Sequence, residues 1–212
     1  SKPFQEIWQE LRGVSVLPLQ TEPRTTHYSI QKMKTFTPPS NDPRFVFAQL
    51  CKNIESACMK ARSYQLDAKK MSLLLRTQSY EHHSTEIVLS RPTNFTHDLI
   101  DLAKPIFEEL FRPGNFYRAT MVTLYELQEP ERQPDLFGES VQVEKYRHLY
   151  EKIDAVRERY GKHTVHFGSS FLAHRFAQHL GDRGDMPARK TQLLKGETRR
   201  RRLGIPMLVG SI

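Results

Sequence analysis

Apolar residues recur at two different spacings through the middle of this chain, and each spacing predicts its own kind of element. Alternation of apolar and polar residues predicts four strands, at 27–36, 71–77, 85–91 and 116–127. Apolar residues three and four positions apart predict two helices, at 42–64 and 94–111. Asp42 and Pro43 suit the cap and the first turn of the earlier helix, whereas Pro105 should bend the later one.

The order of these elements predicts an α+β fold. Strand, helix, strand, strand, helix, strand builds a four-stranded antiparallel sheet with two helices on one face, and it leaves the other face for a ligand. On the second helix we expect five inward residues: Leu99, Leu102, Ala103, Ile106 and Leu110. On the last strand we expect one face with Tyr117, Ala119 and Met121, and an opposite face with Val122 and Leu124.

Shorter patterns flank this body on both sides. A helix is predicted over 4–12 and ends at Gly13, and the proline-containing stretch 14–24 is typical of an extended tether. Beyond the sheet we expect a C-terminal extension with one packed helix that ends at Gly161. Its apolar stripe consists of Tyr146, Leu149, Ile153, Val156 and Tyr160.

Composition narrows the classes of function. The 212 residues include 32 Lys and Arg against 24 Asp and Glu, and this net charge of +8 favours polyanionic partners such as nucleic acid. With 38% hydrophobic residues and no apolar run near the ~18 residues of a membrane span, we expect a soluble cytoplasmic protein.

Ser1 to Pro3 contain neither an initiator Met nor a signal segment, so we expect a piece of a longer chain. Cys51 and Cys58 predict buried thiols in a reducing compartment.

Gln133 to Phe137, reading QPDLF, is typical of a short docking peptide, with Pro134 within it and Gly138 directly after it. An extended backbone there lets Leu136 and Phe137 fill an apolar pocket of a partner while the Gln133 amide fixes the register. The peptide resembles the one with which bacterial DNA polymerases bind the sliding clamp. The candidate clamp-binding residues are Gln133, Asp135, Leu136 and Phe137. The alternative is that Leu136 and Phe137 pack against their own domain.

Several stretches together resemble the C-terminal half of a bacterial Y-family translesion DNA polymerase of the DNA polymerase IV type. EIWQELRGVSVLPL at 6–19 resembles the last thumb helix of that family and the exit into its interdomain tether. Three stretches resemble strands of its little finger domain: Ser29-Ile30 with Lys34-Thr35-Phe36, Leu73 to Thr77, and Tyr117 to Thr120. The QPDLF peptide falls where the family keeps its clamp-binding peptide, so the resemblance runs from about Glu6 to Phe137.

The resemblance implies four segments and their roles. They are the end of the thumb helix with a tether at 1–25, the little finger DNA-binding domain at 26–128, a linker with the clamp-binding peptide at 129–142, and a basic C-terminal extension at 143–212. The family's catalytic carboxylates hold magnesium in an N-terminal palm domain outside this sequence, so neither catalytic residues nor a cofactor are expected here. The expected partners are primer-template DNA and a bacterial sliding clamp, and the chain is expected to act as a monomer in DNA repair and damage tolerance.

The little finger resemblance also implies a sheet that lies in the major groove of DNA and contacts phosphates without reading sequence. The candidate DNA-binding residues are Lys32 and Lys34 on the first strand, Arg76 on the second and Arg118 on the last. Two residues depart from the family pattern. Met121 stands where the family often has Gly, and Pro134 stands where the clamp peptide usually has Leu.

Two other classes of protein share these features. An RNA-recognition domain has the same element order but stacks bases on its third strand, and the strand predicted here, TEIVLS at 85–90, has no aromatic residue. A pure adaptor would bind the clamp without binding DNA.

The run Arg199–Arg202 either adds nonspecific DNA affinity or is solvated. The four later histidines lack the spacing of a metal site: His163, His166, His174 and His179.

Overall fold

The computed structural model describes residues 2–16, 27–130, 139–161 and 164–175. Four antiparallel strands form one sheet in the order β1-β4-β2-β3: β1 (Ser29–Ser40), β2 (Asp67–Thr77), β3 (His82–Thr93) and β4 (Tyr117–Gln128). The helices within these ranges are α1 (Lys2–Leu11), α2 (Pro43–Ser63), α3 (Thr96–Leu110), α4 (Glu139–Tyr160) and α5 (Phe171–Arg175). The predicted α+β class and the order of strands and helices from β1 to β4 are confirmed.

The core lies between the sheet and the helices α2 and α3. Local signals fix α2, because the Asp42 side chain accepts a hydrogen bond from the Arg44 amide at 2.9 Å and a proline occupies its first turn. Asn53 of α2 is buried and donates from its side-chain amide to the Thr120 carbonyl of β4 at 2.8 Å. Cys51 and Cys58 are buried in this layer, as predicted, and burial raises their thiol pKa values from 9.0 to about 12 and about 11.

Each of the four strands has bounds that differ from prediction at one end or at both. β1 continues through Pro38 and Pro39 to Ser40, beyond its predicted end at residue 36. β1 is an edge strand paired only with β4, so a residue without an N–H can occupy its unpaired side. The connection between β2 and β3 is also shorter than the predicted segment 78–84, because β3 already begins at His82.

A β-bulge at Arg118 changes the faces of β4. Arg76 of β2 pairs with Ala119, yet the next residue, Thr77, pairs with Tyr117, so Arg118 is an extra residue in the ladder. The prediction that Tyr117 shares a face with Ala119 and Met121 is therefore wrong. Tyr117 is fully buried on the helix side, where its hydroxyl accepts a hydrogen bond from the Arg112 amide at 2.7 Å.

The buried side of α3 is rotated relative to the prediction. Leu99 and Ala103 are buried as expected, but Leu102 is 41% exposed and Phe107 is buried instead. Phe107 packs against Phe47 of α2, with ring centroids 5.1 Å apart. The buried side is thus centred near Ala103, which leaves Leu102 at its margin.

The C-terminal extension contains more than the one predicted helix. After α4, a 3₁₀ turn (Gly168–Ser170) leads into α5, and both contact α2. The side of α4 that packs inward also differs from the predicted stripe, because Tyr150 and Arg157 are buried while Leu149 and Tyr160 are exposed. No helix in the described part of the chain is long and apolar enough to cross a membrane.

Candidate nucleic-acid interface

The sheet has one face that no described helix covers, and we call it the open face. Its side chains alternate with those of the core and come from all four strands. Representative members are Gln31 and Met33 of β1, Ser72 and Leu74 of β2, Ser84 of β3, and Met121 and Thr123 of β4. Four strands about 4.8 Å apart give the open face a width of roughly 14 Å between its two edge strands.

Two of the predicted DNA-binding residues lie together at one end of the open face. Arg76 projects from β2 on the side opposite the buried Leu75 and Thr77, and it pairs with Ala119, the neighbour of Arg118. The bulge residue Arg118 precedes Ala119 on β4, so it lies beside Arg76 along the neighbouring strand. We call these two arginines on adjacent strands the cationic pair.

The surroundings of this pair leave its charges available. The Arg76 guanidinium lies 5.4 Å from the Tyr80 ring centroid, and its Nε is buried without a hydrogen-bond partner among the described residues. No described carboxylate lies within ion-pairing distance of either arginine. By contrast, Lys70 on the same strand is neutralised, since its Nζ lies 2.6 Å from Glu126 and 3.7 Å from Glu86.

The other two predicted residues lie on the opposite side of the sheet. Lys32 pairs with the buried Val122, and Lys34 pairs with Thr120, whose hydroxyl accepts a hydrogen bond from Asn53 of α2. Lys34 also lies close enough to Lys52 of α2 to help lower the pKa of that lysine, although burial is the larger cause. Lys32 and Lys34 therefore do not share a surface with Arg76. The lysines lie at an edge of the sheet and on its helix side.

The C-terminal extension also lies on the helix side, where buried charges hold it. Arg62 of α2 donates to both carboxylate oxygens of Asp154 in α4, at 2.6 and 3.1 Å. Arg157 of α4 lies 3.6 Å from Glu55 of α2, and each of these two side chains is less than 5% exposed. The described part of the extension therefore adds a second helical layer and leaves the open face clear.

Aromatic contacts complete this anchoring. Tyr150 of α4 stacks on Phe95 with ring centroids 5.6 Å apart, and its hydroxyl accepts a hydrogen bond from the His97 amide at 3.1 Å. The Arg62 guanidinium lies 4.5 Å from the centroid of the same ring. Burial of the Tyr150 hydroxyl raises its pKa. These contacts were not predicted, because the apolar stripe assigned to α4 did not include Tyr150.

Several predicted residues lie outside the described ranges. They are Gln133, Asp135, Leu136 and Phe137 of the docking peptide, His163, His179, and the run Arg199–Arg202. Among the histidines that are described, the rings of His166 and His174 lie 4.4 Å apart. Within the described ranges no group of three or more His, Cys, Asp or Glu side chains could hold a metal ion.

Comparison with solved structures gives matches to DNA polymerases. An insertion ternary complex of Dbh DNA polymerase matches with a TM-score of 0.44 and 11% identity, over 61% of this chain and 36% of that one. A DinB family error-prone DNA polymerase from Sulfolobus solfataricus matches with a TM-score of 0.43 and 11% identity, over 61% of this chain and 37% of that one. The complex of the beta-clamp processivity factor and the little finger domain of PolIV matches with a TM-score of 0.39 and 18% identity, over 52% of this chain and 99% of that one.

The chain therefore spans little more than a third of the length of the Dbh polymerase that it matches. No curated protein sequence matches it. The sequence profile of the impB/mucB/samB family C-terminal domain, however, matches residues 27–136, which is just over half of the chain and includes the whole sheet with α2 and α3. The protein belongs to the impB/mucB/samB family through this C-terminal domain.

Proposed function

We propose that this chain is the DNA-gripping and clamp-docking portion of a bacterial Y-family translesion DNA polymerase of the DNA polymerase IV type. The catalytic carboxylates and their magnesium ions belong to a palm domain outside these 212 residues, so no chemical step is assigned to this chain. It acts as a cytoplasmic monomer in DNA repair and damage tolerance, bound to primer-template DNA and to a sliding clamp.

The observation that carries the DNA part of this proposal is the one-sided construction of the domain. Both packing helices and the described part of the extension lie on one face of the sheet, while the open face has no described helix over side chains such as Met33, Ser72, Leu74 and Met121. Arg76 and Arg118 supply cations without described carboxylate partners at one end of that face. Such donors bind phosphates and position a protein on DNA without selecting a sequence, as tolerance of damaged templates requires.

The clamp part of the proposal rests on the peptide QPDLF and on its position after β4. Its Leu136 and Phe137 supply two apolar anchors, each worth about 1.5–3 kcal/mol when fully buried, before the cost of ordering the peptide. A free peptide of this kind should bind with micromolar affinity. That affinity is sufficient when the DNA contacts act at the same time, because linked sites reinforce each other.

The salt dependence of DNA binding tests the cationic pair. We expect wild-type protein to bind primer-template DNA with micromolar or weaker affinity, and the affinity to fall steeply as salt rises. Arg118→Ala should reduce the log-log slope by about 0.9, the value for one lost phosphate contact on duplex DNA. The measurement is a fluorescence anisotropy titration at four or more salt concentrations.

Lys104→Ala is the matched control, because Lys104 is an exposed cation on α3, on the other side of the domain. It removes the same charge and should leave the slope unchanged. Equal slopes for wild type and both variants would contradict a role for Arg118. Clamp binding without any DNA binding would instead favour the adaptor.

Calorimetry against a purified bacterial sliding clamp tests the docking peptide. The double variant Leu136→Ala with Phe137→Ala should abolish clamp binding and leave DNA affinity unchanged, since both apolar anchors are lost. Pro134→Leu should tighten binding, because it adds an apolar side chain and restores a backbone donor. Leu149→Ala with Phe171→Ala is the control, since it removes an exposed leucine and an exposed phenylalanine elsewhere in the extension. Equal clamp affinity of wild type and the Leu136/Phe137 variant would refute the assignment.

A further inference from the structure

An open groove lies between the β3–α3 corner and the first turns of α4. Its volume is about 570 Å³, within the range of clefts that hold small ligands. Its lining includes four apolar or aromatic residues, Leu89, Leu102, Val143 and Tyr146, together with the charged Arg91, Asp98 and Asp101. Leu102 is 41% exposed, so a large apolar side chain that lines this groove is partly uncovered.

The chain segment that joins β4 to α4 has both of its ends beside this groove. At one end, Ala68 of β2 pairs with Leu127 of β4 on one side and with Thr93 of β3 on the other. Two strand spacings therefore separate Leu127 from Thr93, about 10 Å, and Thr93 lines the groove. At the other end, Val143 lies four residues into α4, about 6 Å along the helix from Glu139.

These positions limit where residues 131–138 can reach. Leu136 lies three residues before Glu139, so its Cα stays within about 10 Å of the start of α4 however the backbone runs. Phe137 is closer still. Chain connectivity thus keeps the Cα atoms of the two apolar anchors within about 16 Å of Val143 in the groove lining, a span that allows their side chains to reach it.

The chemistry of the groove fits this segment of its own chain. Leu102, Val143 and Tyr146 offer an apolar surface to a leucine and a phenylalanine. Arg91 of the lining has a half-exposed side chain that pairs with Asp98 at 3.6 Å, which leaves it able to meet a second carboxylate such as Asp135. A partner from solution would have to compete with a segment of similar chemistry that is covalently held beside the groove.

We propose that this groove is the resting dock of Leu136 and Phe137 in the absence of a clamp. The groove and the clamp then compete for the same two side chains, and the contact is autoinhibitory. Clamp affinity is reduced by the fraction of molecules in which the peptide is undocked. This inference rests on the proposed clamp-docking function for its biological meaning, although docking itself can be observed without a clamp.

Amide hydrogen exchange of residues 133–138 in the full chain, without clamp or DNA, tests the docking. Leu102→Lys places a charge in the groove and should raise exchange of these amides about threefold or more. Leu149→Lys is the matched control, since Leu149 is an exposed leucine on α4 that does not line the groove, and it should change nothing. Leu102→Ser, a milder change, should act in the same direction as Leu102→Lys.

Calorimetry with the clamp gives the second readout. Leu102→Lys should tighten apparent clamp binding about threefold to tenfold, while Leu149→Lys should leave it unchanged. Identical amide exchange of residues 133–138 in wild type, Leu102→Lys and Leu102→Ser would overturn the proposal. Protection of these amides that depends on protein concentration would also overturn it, because a second copy of the chain would then occupy the groove. If no variant binds the clamp, the clamp function fails, yet the exchange result still decides whether the groove holds the peptide.

Discussion

Glu55 links the family domain to its C-terminal extension at the scale of a single side chain. It lies within α2 and is 3% exposed. One carboxylate oxygen accepts hydrogen bonds from the Phe167 amide at 3.0 Å and from the Ser170 hydroxyl at 2.6 Å. The other oxygen faces Arg157 of α4 at 3.6 Å. A buried charge of this kind is tolerated because several partners satisfy it at once.

Removing this carboxylate should therefore be costly. Glu55→Ala removes the α2 carboxylate that pairs with the buried Arg157 guanidinium. It also removes the acceptor of the hydrogen bond from the Phe167 amide. We expect a loss of about 3–5 kcal/mol in the free energy of unfolding. The measurement is urea denaturation followed by circular dichroism.

Glu151→Ala provides the comparison, since Glu151 is 60% exposed on α4 and pairs only with His148 among the described residues. It should change stability by no more than about 0.5 kcal/mol. A loss below about 1 kcal/mol for Glu55→Ala, the range of an exposed ion pair, would show that the extension is not anchored through this residue.

At the scale of elements, the sequence predicted what local signals determine. The start of α2 follows from Asp42 and Pro43, and the end of α1 follows from Gly13, whose φ of +83° suits glycine. The strand predicted at 71–77 lies within β2 and ends at the same residue, Thr77. Each of these features depends on residues within one or two turns of each other.

Features that depend on distant residues were not predicted. The bulge at Arg118 exists because β4 must keep register with β2 while Tyr117 turns into the core. The exposure of Leu102 depends on how α3 rotates against α2 and the sheet. For the same reason the faces of Lys32 and Lys34 could not be assigned, since one residue of register reverses the face of every side chain on a strand.

At the scale of the whole molecule, the described chain has two unlike sides. One side carries α2, α3 and the anchored extension, with the groove at its margin. The other side is the open face, with the Arg76 and Arg118 pair at its end. Under the proposed function, DNA lies against the open face, and the helix side is left for contact with a protein partner.

The methionine methyl groups report on these two sides directly. Met33 and Met121 pair across β1 and β4 on the open face, whereas Met71 is buried in the core and Met59 is half-buried on α2. The central claim, that the open face meets DNA, is tested by methyl NMR of methionine-labelled protein titrated with primer-template DNA. The account predicts that the Met33 and Met121 resonances shift while those of Met59 and Met71 stay in place. Shifts at Met59 with unchanged Met33 and Met121 resonances would contradict it, because DNA would then lie against the helices.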